Sequence, residues 1–199
     1  TGIYVGQSNH VTITKCVAYE NVNGIEVENC SYVTVDKNHS YNNVAGILCV
    51  LLPGLQVKEA SGIIITNNQV RDNNHENFAH PGEFESYVPS GSGILIVGTD
   101  NTVVQDNHVT GNKFTGVAVV STLVLGALAG FPPEIFADIE PDPDGARIIS
   151  NQVIKNGYAP PVGLPFPGVD LLWDGSGTNN CWSKNLHNTA FPAMLPSCP

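Results

Sequence analysis

Residues Gly24 to Ala45 read GIEVENCSYVTVDKNHSYNNVA, and the preceding stretch of equal length, Gly2 to Asn23, reads GIYVGQSNHVTITKCVAYENVN. Each begins with Gly, runs as a short strand of alternating apolar residues, and crosses a polar turn into a second alternating strand. Each then leaves through Asn-rich sequence into the next Gly. Self-similarity at a fixed period marks a stack of equivalent units, none of which can bury its own apolar row.

The Gly marker recurs at Gly2, Gly24, Gly46, Gly93, Gly116 and Gly168, which predicts six coils in one domain with a tail from about residue 175 to 199 capping the last. After each Gly an apolar pair sits two residues apart: Ile3 and Val5, Ile25 and Val27, Ile47 and Cys49, Ile94 and Ile96, Val117 and Val119, Val169 and Leu171. That is the period of one strand face, and stacking would turn the pairs into buried aliphatic ladders. Extra residues fall between the two strands of the third and fifth coils and again after Asn68 and Asn151, so loops are expected at two corners.

A second marker closes the second strand of each coil, at Cys16, Asn38, Asn68, Asn107, Asn151 and Asn185. Asn tolerates a left-handed backbone at a sharp corner, and its amide can bond the equivalent amide one coil away. Asn38, Asn68, Asn107 and Asn151 are therefore expected to form a structural ladder. Asn21, Asn43, Asn73, Asn112 and Asn156 repeat the pattern five residues later.

This pattern, with its GIYVGQS start, its GIEVENC coil, a VAVVS strand before a long loop and a final LLWD, resembles right-handed parallel β-helix repeat proteins of the pectin-lyase-like superfamily. Within it the chain resembles bacterial secreted proteins known only by that repeat, and the likeness runs from Gly2 to about Gly168. It implies an all-β, right-handed parallel β-helix solenoid. Because the superfamily holds pectate lyases, polygalacturonases and alginate epimerases, it also implies a secreted protein, extracellular or periplasmic, that binds or processes a polysaccharide. The DPHD-type motif of alginate epimerases is absent, as is a recognisable Asp and Arg set of pectate lyases. A non-catalytic scaffold or protein-interaction module is the alternative reading.

The 199 residues carry a net charge of -10, and the eight Lys and Arg form no cluster in sequence, which argues against nucleic acid or an anionic membrane as partner. No apolar run is long enough to span a bilayer. Cys16, Cys30 and Cys49 suit small buried positions, whereas Cys181 and Cys198 are candidates for a disulfide in the tail. The chain opens directly on a repeat, so a lost preceding segment, or self-association at the open first coil, is expected.

The polar constellation with most chemical potential is the insertion after the third coil. It holds Arg71, Asp72, His75, Glu76, His80, Glu83, Glu85 and Tyr87. A His beside a carboxylate can act as general base, and Arg71 could neutralise a uronic-acid carboxylate during removal of the α-proton, so Arg71, Asp72, His75, Glu76 and His80 are the candidate catalytic set. Glu83 and Tyr87, with Glu26, Trp173 and Asp174, are the candidate substrate-binding residues, although the tryptophans serve equally as caps on the last coil. Glu26 and Asp170 fall on outward positions of the first strand, roughly 19 Å apart by strand spacing, too far to share one glycosidic bond. Between them Leu48, Leu95 and Ala118 form an apolar strip that the insertion from Ser121 to Gly145 is placed to cover. No metal motif is recognisable; the acidic run with Asp138, Asp142 and Asp144 could hold Ca²⁺ through carboxylate oxygens.

Overall fold

The computed structural model describes residues 1–199. The chain winds through three parallel sheets. The first contains Ile3–Gly6, Asn23–Glu28, Ala45–Val50, Ser92–Val97, Thr115–Val120, Val169–Trp173 and Ala190–Phe191, in that spatial order. The second stacks Thr12–Thr14, Thr34–Asp36, Ile64–Thr66, Val103–Gln105, Arg147–Ile149 and Cys181–Ser183, and the third stacks Val17–Tyr19, His39–Tyr41, Gln69–Arg71, His108–Thr110 and Gln152–Ile154. Together they make a parallel β-helix, right-handed as parallel strand crossovers are. Its interior is the predicted set of ladders: Ile3, Ile25, Ile47, Ile94, Val117 and Leu171 are register partners from coil to coil. Ile63, Ile65, Val104 and Ile148 fill the same core from the second sheet.

The first five marker glycines lie at the corner where the first sheet begins. A Cβ on Gly93 would stand 2.3 Å from the carbonyl oxygen of Gly116, and one on Gly24 would stand 2.7 Å from that of Gly46. Close approach of adjacent coils, and not a left-handed backbone, is what requires glycine there.

The Asn ladders run the length of the stack. Asn38 Nδ2 donates to Asn68 Oδ1 at 3.0 Å, Asn68 to Asn107 at 2.9 Å, Asn107 to Asn151 at 3.0 Å and Asn151 to Asn185 at 3.0 Å. Each Oδ1 also accepts the backbone N–H of the ladder residue one coil away, as Asn107 Oδ1 does from Asn68 at 2.9 Å. The second ladder passes through Asn21, Asn43, Asn73, Asn112 and Asn156 in the same way. The left-handed backbone falls one residue earlier than expected: Lys15, Lys37, Asn67, Asp106, Ser150 and Lys184 have φ of 54° to 56°. The Asn side chain turns inward to the ladder, and the exposed residue before it makes the bend.

The sixth coil is displaced by two residues from the sequence reading. Leu171 and Trp173, not Val169 and Leu171, pair with Val117 and Val119. Asp170 thus stands beside Gly116, and its buried carboxylate ends the second ladder: Oδ1 accepts from Asn156 N at 2.9 Å and Asn156 Nδ2 at 3.0 Å. It is not an exposed acid on the sheet. Trp173 points into the core end and packs on Trp182, with ring centroids 5.6 Å apart, and Cys181 is disulfide-bonded to Cys198 in the tail.

Outside the first sheet a second apolar cluster forms on the strip of Leu48, Leu95 and Ala118. Its cover includes helix α1, Thr122–Ala129, which buries Leu125 there and is capped by Ser121 Oγ accepting from Leu123 N.

Removing one ladder amide orphans buried partners on both sides at about 1–3 kcal/mol each. Asn107→Ala is expected to lower the unfolding free energy by at least about 3 kcal/mol. Lys37→Asn, at an exposed left-handed turn, is expected to leave it unchanged or higher. Urea unfolding of the two variants checks both.

Candidate functional site

The loop that gathers Arg71 to Tyr87 in sequence is dispersed in space. Arg71 lies outward on the third sheet, where its guanidinium sits 4.7 Å from the ring centroid of Tyr41 and pairs with Asp72 at 3.1 Å. His75 is exposed, with Nδ1 2.9 Å from the carbonyl oxygen of its neighbour Glu76 and its ring edge-on to Phe78. Glu76 is also exposed. Tyr87 packs edge-on to Phe131, within the cover of the first sheet. Arg71 is thus held by Tyr41 and Asp72 at the end of a third-sheet strand, whereas His75 reaches Phe78.

His80 does join carboxylates. With Glu83 and Glu85 it lines an open concavity that also includes Thr1, Val22, Phe78 and Ala79. The short 3-10 turn Phe84–Tyr87 presents Glu85, and backbone bonds from Glu83 N to His80 O at 3.1 Å and Ser86 N to Glu83 O at 3.0 Å hold the loop's return.

Thr1, which lines this concavity, bonds to Glu26. Sequence reading places it outward and open, and its position on the first sheet is indeed outward, yet it is only 1% exposed. Its Oε2 accepts from Thr1 Oγ1 and from Asn23 Nδ2, the latter at 3.1 Å. Its Oε1 and the Oδ1 of Asn23 are buried with no partner. Burial pushes the Glu26 carboxyl above its ordinary range; the nearby charges of Glu85 and Glu28 add to the effect, and the two hydrogen bonds oppose it. Protonation of Glu26 would give its carboxyl a hydrogen to donate, which a carboxylate lacks. On the same sheet face Tyr4 donates to Glu28 Oε1 at 2.6 Å, which raises the Tyr4 hydroxyl well above its usual range.

The remaining sequence candidates have structural partners. Asp174 accepts from Ser121 N at 2.8 Å and Ser176 N at 2.9 Å, and the Trp173 indole donates to Ser176 O. Asp138 is taken by Lys58 and Gly54 N, whereas Asp144 accepts from Thr178 and lies beside Asp100 and Glu140. Asp138, Asp142 and Asp144 therefore do not converge, and no three His, Cys, Asp or Glu side chains group as a metal site requires.

With three parallel sheets, stacked ladders and a closed aliphatic interior described, family membership is settled. The family model for right-handed β-helix regions matches residues 1–123, more than half of the chain, so the chain belongs to that family. Among solved structures it is similar to a periplasmic alginate epimerase, AlgG, crystallised as a double mutant, with a TM-score of 0.53 and 12% identity over 90% of this chain. The match spans 42% of the epimerase chain, and at that identity it speaks for the fold alone. No curated protein sequence matches the chain.

A carboxyl raised in the folded state binds a proton that the unfolded chain has released, so its stabilising contribution is complete below its ordinary value of 4.5 and is lost as pH rises through the folded value. Glu26→Gln keeps the pairing with Asn23 and removes the titration. Urea unfolding between about pH 4 and about pH 8 is expected to show the native protein losing stability relative to Glu26→Gln as pH rises. A constant difference between the two across that range would contradict the assignment.

Proposed function

We propose that this protein is an extracytoplasmic polysaccharide-binding β-helix whose site is the outward face of the first two coils. The carrying observation is the chemistry of that face: Glu26, Glu28, Glu83 and Glu85, with Tyr4 and His80, and no lysine or arginine among the residues lining the concavity. A uronate chain needs a cation for its carboxylate, and Arg71, the one sequence candidate, is paired with Asp72 on another sheet. The face therefore suits a neutral or amino-sugar chain, whose hydroxyl or ammonium groups donate to carboxylates. Coils three to six offer no extension, because the apolar strip there is covered. Where the family's enzymes act on polysaccharide, the proton chemistry available here is that of a buried carboxyl, Glu26, whose proton affinity burial raises, close to a second carboxylate, Glu28. The Cys181–Cys198 disulfide agrees with an oxidising compartment outside the cytoplasm.

Titration calorimetry with chitosan, glucan and polygalacturonate oligosaccharides tests this reading. Binding of the amino-sugar or neutral chain, weakened at least about tenfold by combined Glu28→Gln and Glu83→Gln, is the expected result, each lost charge-assisted bond being about 1.5–3 kcal/mol. Binding that survives the double substitution, or no binding of either glycan type, would overturn it.

A further inference from the structure

The eight cations are scattered in sequence and are not scattered in space. Seven of them lie on the second and third sheets and the turns that follow each: Lys15, Lys37, Arg71, Lys113, Arg147, Lys155 and Lys184. The same elements carry only four of the eighteen carboxylates, Glu20, Asp36, Asp72 and Asp106. This side of the stack is net +3 while the remainder of the chain is net -13, which together give the overall -10. Two of the seven cations are paired locally, Lys37 with Asp36 and Arg71 with Asp72; the other five make no salt bridge.

The wall is also unobstructed. Every insertion leaves from the corners that flank the first sheet, between Val50 and Ile64, Arg71 and Ser92, Val120 and Arg147, or Ile154 and Val169. None starts between the second and third sheets, where a single left-handed residue turns each coil. Outward residues consequently form straight lanes. One lane runs Val17, His39, Gln69, His108 and Gln152 in direct register, all exposed, and the next begins with Tyr19 stacked on Tyr41 at 5.4 Å and 7°, followed by Arg71. Six coils at ~4.8 Å place these groups along ~24 Å. A ligand approaching through solvent feels chiefly the charges within ~8 Å, the screening length at physiological ionic strength, and on this wall those are mostly cations.

The geometry points to this wall as a docking surface for a linear anionic polysaccharide, carboxylated or sulfated. Unpaired cations on neighbouring coils match a repeating negative charge, and the His, Gln and Tyr lanes supply hydrogen-bonding groups and ring surface for sugar hydroxyls. A bilayer is the poorer partner, because the lanes present no cluster of large apolar side chains to insert. This surface is separate from the site on the first two coils and does not depend on it.

Lys15, Lys37, Lys155 and Lys184 all occupy left-handed turn positions, and Asn adopts that backbone readily, so replacing all four by Asn removes charge without straining the fold. Retention and affinity are measured on immobilised polygalacturonate, dextran sulfate and neutral dextran, and on phosphatidylglycerol vesicles. The native protein is expected to bind at least one of the two anionic glycans, and an excess of free neutral dextran is not expected to displace it. Affinity should fall at least about tenfold in the K15N/K37N/K155N/K184N variant and fall again with added salt. Lys113→Gln with Arg147→Gln, outside the left-handed turns, should weaken binding in the same direction. Failure to bind either anionic glycan, unchanged affinity in both variant sets, or preference for the vesicles would overturn the proposal.

Discussion

Hydrogen bonds between buried side-chain amides set the geometry on which everything else in this molecule depends. An Asn buried in an apolar solenoid brings two N–H donors and a carbonyl that must all be satisfied. Stacking an identical residue on every coil answers the demand repeatedly, because each amide donates to the next and to a backbone carbonyl while accepting from the coil behind it. The chain of donors has to stop somewhere, and in the second ladder it stops at Asp170. A carboxylate has acceptors only, so it takes the last donated bonds from Asn156 and uses its other oxygen for Asn188 N and Thr189 N. A sixth amide in that place would have needed further acceptors beyond the last coil.

The sequence showed the fold through repeated pairs such as Ile25 and Val27, whose spacing is dictated by the pleat and survives any loop insertion. It misled where a residue type changed while its role persisted. Asp170 does the work of a ladder Asn from a strand position, and Gly168 happens to precede an apolar pair, so counting glycines shifted the sixth coil by two. The left-handed corner was placed on Asn by its general conformational habit, whereas the ladder needs Asn to turn inward and passes the bend to Lys, Asp or Ser.

The site was legible only in parts. His80 and Glu83 stand close in sequence and remain together. Glu26 is on the outward face where alternation puts it, but it is buried, bonded to Thr1 and near the charge of Glu85 more than fifty residues away, and no local pattern reports such surroundings. Arg71 and His75 look like members of one polar loop in one dimension, yet Arg71 ends a third-sheet strand over Tyr41 and His75 lies past the corner against Phe78. The segregation of cations was equally hidden, since it arises from one or two residues per coil brought into line by stacking. The two faces differ in kind as a result: one is roofed by α1 and the long insertions, the other is bare sheet.

The one-residue corners between the second and third sheets separate what must be kept from what can vary. Their backbone is fixed by the bend, yet their side chains touch neither core nor ladder, and Lys, Asn, Asp and Ser all occur there with nearly the same φ. Charge can be added or withdrawn along an entire edge of the solenoid, one coil at a time, while the packed interior is untouched. Such an edge is a surface on which selection can rewrite a ligand preference without renegotiating folding.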